Sequence, residues 1–171
     1  MINQHHRKVI NMTAVEKFSD GALRKMAPQK LHVLIGEIMS LMLASKSHRQ
    51  YQVRDISDVL FPAINLGQYT IYRDQNRQPI ALVTWGRLSA KVEKEYLAVN
   101  HVLSEKELAS GDRLYIMEFI APYGHTKQVE GHLRKHVFPN ECAHHVRPTG
   151  DVKSPVKITK LNGVNYKKRL N

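Results

Sequence analysis

The sequence predicts a single α+β domain, a mixed β-sheet flanked by helices. Three observations carry that expectation. The run LHVLIGEIMSLMLA at 31–44 places apolar residues at helical spacing. QYTIYR at 68–73 and PIALVTW at 79–85 are rich in β-formers, and 74–78 supply a turn between them. RLYIMEFIA at 113–121 is a near-continuous apolar strand broken by one carboxylate, and a helical pattern follows at 126–137. Helices and strands in this order build layers around one core rather than a bundle or a sandwich.

Each element follows in turn. Residues 1–27 show no clean period and read as a weakly ordered basic arm, closed by Pro28. The domain proper is expected over 28–165. Ser45 to Ser47 break the helix at 31–44, which leaves His48 and Arg49 just past its end. A second short helix is expected over 53–63, with Pro62 near its close. After the hairpin, 89–100 read as a helix with Ser89 as N-cap, and 103–109 add a turn or two. Ser110 and Gly111 interrupt the chain before the strand at 113–121. Pro122, Tyr123 and Gly124 end that strand ahead of the helix. Short strands at 143–147 and 156–161 and a basic tail at 166–171 complete the chain, and no repeat is visible.

Composition bounds the function. Of 171 residues, 42% are hydrophobic, enough for a core, so a wholly disordered chain is excluded. No window supplies the roughly 18 apolar residues that a membrane span needs. The polar, basic start has no apolar stretch behind it, which predicts no secretory signal. Cys142 is the only cysteine, so no internal disulfide forms, as suits a cytoplasmic protein. The net charge of +11 is unevenly placed: 31–124 is neutral, 1–30 carries +4 and 125–171 carries +7. Such a field attracts an acidic partner: nucleic acid, anionic membrane or an acidic protein. A merely solubilising basic surface is the plainer reading of the same charges.

Four features bear on chemistry. Glu118 interrupts IMEFIAP, and a carboxylate there is costly to bury unless paired. In a central strand it points to one face and its apolar neighbours to the other. A buried carboxyl is suited to orienting a base or accepting a proton, while a salt-bridged edge glutamate is the plainer reading. His48 at a helix end is a candidate general base, since imidazole titrates near neutrality; it is one of ten histidines, most of which belong on surfaces. His132 and His136 share a helix face, with Cys142, His144 and His145 close behind in sequence. Without CxxC or HExxH spacing the cluster is a weak zinc signal, and no metal site is expected. Finally, the strand, turn and helix over 113–137 resemble the phosphate-binding element of Gcn5-type N-acetyltransferases. Gln128 and Gly131 match its loop, but Leu133 stands where a small residue lets coenzyme A approach.

Several segments together carry a more specific resemblance. SHRQYQV at 47–53, LFPAINLGQYTI at 60–71, PIALVTWGRLS at 79–89 and SGDRLYIMEFIAPYG at 110–124 resemble the RTX toxin-activating lysine acyltransferases, the hemolysin-activating family. The similarity covers about residues 34–140 with nearly constant spacing. It implies a Gcn5-type acetyltransferase-like fold and transfer of a fatty acyl chain from acyl carrier protein to internal lysines of an RTX protoxin. The donor is a co-substrate, and no resident cofactor is implied. The family's catalytic histidine falls on His48, and its catalytic aspartate on Glu118. Two positions depart from the pattern: the carboxylate is Glu rather than Asp, and Val59, beside Asp58, replaces an Asn.

The resemblance implies that His48 acts as general base with Glu118 orienting it, and an acyl-histidine intermediate stays open beside this. Trp85, Tyr115 and Phe119 are candidates for the acyl-chain path, against simple core packing. Rival readings are an acetyl-coenzyme A N-acetyltransferase, a nucleic-acid module that no motif supports, and a catalytically weak toxin-binding homologue. Oligomeric state stays open between monomer and homodimer.

Overall fold

Pro28 opens the first helix instead of closing the arm before it. In the computed structural model, which describes residues 26–98, 101–148 and 156–167, α1 spans Pro28–Ala44 with proline in its first turn. There its missing N–H satisfies nothing anyway. The helix thus begins three residues before the apolar run that predicts it. The expected arm and tail lie outside the described residues apart from Met26, Ala27, Tyr166 and Lys167. Leu34, Ile38, Leu41 and Met42 form the buried stripe of α1. Ser45 turns to extended backbone and ends it.

A single 3₁₀ turn, His48–Gln50, follows. α2 runs in three joined pieces, Val53–Asp55, a wide π turn Ile56–Leu60, and Phe61–Asn65. The hairpin pairs β1 (Tyr69–Arg73) with β2 (Pro79–Leu88), and the Asp74 carboxylate accepts the backbone N–H groups of Asn76 and Gln78 in its turn. α3 (Ala90–Ala98) and the short α4 (Glu105–Leu108) lead to β3 (Arg113–Ile120). α5 (Thr126–His132) continues into a π turn, Leu133–Val137, before β4 (Cys142–Pro148) and β5 (Val156–Asn162). Residues 99–100 of the expected third helix lie outside the described residues.

The five strands form one sheet in chain order. β1, β2 and β3 are an antiparallel meander, β4 runs parallel to β3 after the α5 crossover, and β5 returns antiparallel. Side chains alternate between the faces of β2. Leu82 packs with the α1 stripe and Leu88 with α4, while Ala81 and Val83 pack with Val129 of α5 and Leu133 of the π turn that continues it. Helices α1 to α4 therefore share one face and α5 covers the other.

The SGDR segment proves to be a joint in the scaffold. The Ser110 hydroxyl accepts the Ser89 N–H at 2.9 Å and donates to the Glu107 carbonyl at 2.7 Å. Gly111 donates to the Arg87 carbonyl, and a Cβ there would sit 2.5 Å from the Leu88 carbonyl oxygen. Arg113 pairs with Glu93, which also accepts the buried Tyr115 hydroxyl at 2.7 Å. The segment thus ties α3 and α4 to the start of β3. Gly124, at φ +83°, makes the left-handed turn between β3 and α5.

Candidate functional site

The break after α1 and the middle of β3 meet at one point. Because α1 docks on the sheet through Leu41 and Met42, the turn that follows holds His48 over β3. Glu118 reaches the same place because β3 is irregular there. Val83 pairs with Phe119 and Trp85 with Ile116, so Met117 and Glu118 together face the single residue Thr84. This is a β-bulge, and it brings two successive side chains toward one face. Met117 and Glu118 accordingly line one cavity, while Phe119 packs on the α5 side. The alternation expected for Glu118 and both its neighbours fails at Met117 for this reason. The bulged Glu118 N–H donates to the buried Thr84 hydroxyl at 3.1 Å instead of to the ladder.

His48 Nε2 lies 3.0 Å from Glu118 Oε2, and each side chain is only 12% exposed. An ionised carboxylate only accepts, so Nε2 carries the proton and donates. Nδ1 is then the acceptor, and the Ser45 hydroxyl donates to it at 2.6 Å with Ser47 at 3.1 Å. The Tyr51 hydroxyl donates to the other carboxylate oxygen, Oε1, at 3.0 Å, and its ring lies against that of His48. Burial, then the charge of Glu118, pushes the Tyr51 hydroxyl well above its ordinary value, so it stays a donor. The same two causes raise Tyr96 nearby. An imidazole with one nitrogen fixed by a carboxylate and the other basic is equipped to take up and return a proton.

A cavity of about 330 Å³ opens beside the pair, between α2, α3, α4 and β3. Tyr51 and Glu118 form part of its wall, and Asp55, Asp58 and Val59 of α2 form another part. Val59 and Glu118, the two positions the resemblance singles out, therefore face the same space.

The other expected residues fall elsewhere. Tyr115 is core, 1% exposed, and Trp85 packs edge-on against Phe138. Phe119 lines a separate groove beyond β3. Leu133 is fully buried under the sheet. His132 sits beside His136 with its Nδ1 3.1 Å from the Tyr72 hydroxyl. His144 stacks on Tyr115 and His145 on Phe119, on opposite faces of β4. Among the described residues no three His, Cys, Asp or Glu side chains converge as metal ligands would. Sequence reasoning missed Ser45, Tyr51 and Thr84. Ser45 and Tyr51 lie three residues either side of His48, one helical turn away, which is the signal that was available.

A carboxylate-held histidine beside a substrate-sized cavity, in a mixed α+β domain, defines a candidate acid–base transferase. Comparison with known proteins supplies the family. The profile of the RTX toxin acyltransferase family matches residues 26–162. The lysine-acyltransferase RtxC of Vibrio cholerae is 35% identical over 109 residues, 64% of this chain and 71% of its own. The leukotoxin-activating lysine-acyltransferase LtxC of Aggregatibacter actinomycetemcomitans is 32% identical over 137 residues, 80% of each chain. An uncharacterized protein of Synechocystis sp. is 37% identical over 126 residues, 73% of this chain and 86% of its own. The chain belongs to the RTX toxin acyltransferase family.

Proposed function

We propose that this chain transfers a fatty acyl group from acyl carrier protein to lysine ε-amines of an RTX protoxin, in the cytoplasm, with His48 as general base and Glu118 orienting it. The observation that carries the chemistry is the 3.0 Å contact between two nearly buried side chains that lie 70 residues apart in sequence. The relatives named as lysine-acyltransferases support lysine as acceptor. The basic termini, +4 and +7 about a neutral middle, suit an acidic carrier protein as donor.

In this reading the lysine ammonium first loses one proton to solvent water. The free amine attacks the thioester carbonyl, so a C–N bond forms and the carbonyl becomes an oxyanion. His48 takes the second nitrogen proton at Nδ1, displacing the Ser45 hydroxyl from it, while Glu118 stabilises the imidazolium. Collapse breaks the C–S bond, and His48 returns the proton to the departing thiolate.

The test is intact-mass measurement of an RTX protoxin coexpressed with this chain, with wild type and His48→Ala compared. The expected outcome is a fatty acyl mass on lysine with wild type and none with the variant at unchanged melting temperature. Acylation by His48→Ala near the wild-type rate overturns the assignment of the base.

A further inference from the structure

The cavity beside the His48–Glu118 pair has a composition that the proton-transfer chemistry leaves unexplained. Asp55, Asp58 and Glu118 line it, and no lysine or arginine does, in a chain whose net charge is +11. Behind the carboxylates lies an apolar wall formed by Leu103, Leu108 and Met117, the first two buried. Val102, more than half exposed, stands at the mouth with exposed Asp58. The space therefore runs from an acidic rim over an apolar wall to Glu118 and Tyr51, the two residues in contact with His48, which is not itself part of the wall.

We propose that this cavity is the acceptor subsite: it takes the lysine side chain, with Asp55 and Asp58 drawing the ammonium in. The assignment rests on the lysine acylation proposed above. A lysine is a cationic head on an apolar four-carbon stem, so it matches acidic rim and apolar wall in turn. A fatty acyl chain carries no group to meet three carboxylates, and a phosphate-bearing carrier arm is repelled by them.

The carboxylates are not consumed by other cations. Asp55 accepts the Gln52 N–H at 2.7 Å, and Arg54 approaches it only to 3.9 Å from an exposed position. Asp58 accepts the Ser57 hydroxyl at 2.8 Å. His101 at the rim is paired with Glu107. On the other side of β3 a groove of about 490 Å³ has the opposite character, with Arg134, Arg147 and Lys160 in its walls and one carboxylate, Glu130. The sheet thus sorts charge, and the cationic substrate belongs on the α2 side. There the ammonium lies against Glu118, whose other contacts hold His48 and Tyr51. The apolar wall favours the neutral amine once a proton is shed, which is the form that attacks.

The experiment is an NMR titration of the full chain with N-acetyl-lysine methylamide, and with the same amide carrying an acetylated ε-nitrogen. Wild type is expected to bind the lysine amide, with the largest shifts at residues of α2 and β3, and not the acetylated control. Asp55→Asn combined with Asp58→Asn keeps the acceptor oxygens and should weaken binding roughly tenfold. Asp58→Lys, at an exposed position that the fold does not need, should abolish it. Equal binding of the acetylated control, or unchanged binding by both variants, overturns the subsite. Acylation assays separate the two readings. Lysine binding here without acyl transfer overturns the enzymatic reading alone. Acyl transfer with the acceptor KM of both variants unchanged overturns the subsite alone.

Discussion

Glu118→Gln isolates the charge of the dyad from its shape. Glutamine has the same length and keeps one acceptor oxygen, but two donors converge on this side chain, His48 Nε2 and the Tyr51 hydroxyl, each at 3.0 Å. The amide can accept one of them, and its NH₂ group then confronts the other. The larger effect comes when His48 is protonated. A hydrogen bond to a charged partner contributes about 1.5–3 kcal/mol. Bare attraction between unit charges about 4 Å apart, at an effective dielectric constant of ~20, sets a ceiling near 4 kcal/mol. Losing 1.5–3 kcal/mol of transition-state stabilisation slows kcat roughly 10- to 160-fold. Acceptor KM should change little, since the imidazolium exists only after binding. Glu118→Asp keeps the charge but withdraws the carboxylate by about one C–C bond, ~1.5 Å, so it should fall between glutamate and glutamine. The assay is acylation of a protoxin followed by intact mass at saturating donor, with melting temperatures matched. Equal turnover by the Gln and Asp variants would show that Glu118 only supports the fold and would refute the dyad.

Tyr51→Phe removes the second anchor of Glu118 while keeping the ring; kcat should fall about tenfold with KM unchanged, and an unaltered kcat would reduce Tyr51 to packing. Donor use should be salt-sensitive. Between about 50 and 500 mM salt the Debye length shrinks from roughly 14 to 4 Å, so donor KM should rise for acyl carrier protein more than for a coenzyme A thioester; a salt-insensitive reaction preferring the latter would refute the donor. Burial holds His132, His144 and His145 below the ordinary value of 6.5, helped by His136, Lys160 and Arg147 respectively. Between their lowered values and 6.5 the unfolded chain binds more protons, so stability is complete above that window and falls as pH drops through it. Melting temperature should drop by several degrees from pH 7.5 to 5.5, and less so in His132→Gln; a flat profile would refute this. Gly111→Ala drives a Cβ into the Leu88 carbonyl and should cost about 1–3 kcal/mol by denaturant titration.

Much of the fold was legible because each element carries its own local cause. The period of α1, the turn residues of the hairpin and the apolar run of β3 all lie within short windows. The start of α1 is hidden from the sequence because a proline before an apolar run reads as a stop, although proline is at home in a helix's first turn. The bulge at Met117 and Glu118 depends on the partner strand and has no local mark. Tyr51 reaches Glu118 across 67 residues, and no spacing announces such a contact. The resemblance names His48 and Glu118, and Ser45 and Tyr51 lie within three residues of His48 in sequence; the Tyr51–Glu118 contact and Thr84 come only from tertiary structure. The strand period adds a reason against the weak zinc signal: adjacent strand residues His144 and His145 face opposite ways and cannot both serve one metal.

The SGDR joint has a consequence for recognising members of this family. Three of its four letters are explained: Gly111 by a close backbone approach, Ser110 by a helix tether, and Arg113 by its pairing with Glu93, the partner of a buried tyrosine; none of these touches the dyad. A sequence that lost both His48 and Glu118 would keep every reason to keep SGDR and would still score as kin. Under the mechanism proposed above, catalytic competence rests instead on a sparse set: histidine on the turn after the first helix, a carboxylate at the bulge, and a hydroxyl three residues to either side of the histidine. On that proposal, relatives that keep SGDR but lack this set have inherited the architecture without the proposed chemistry.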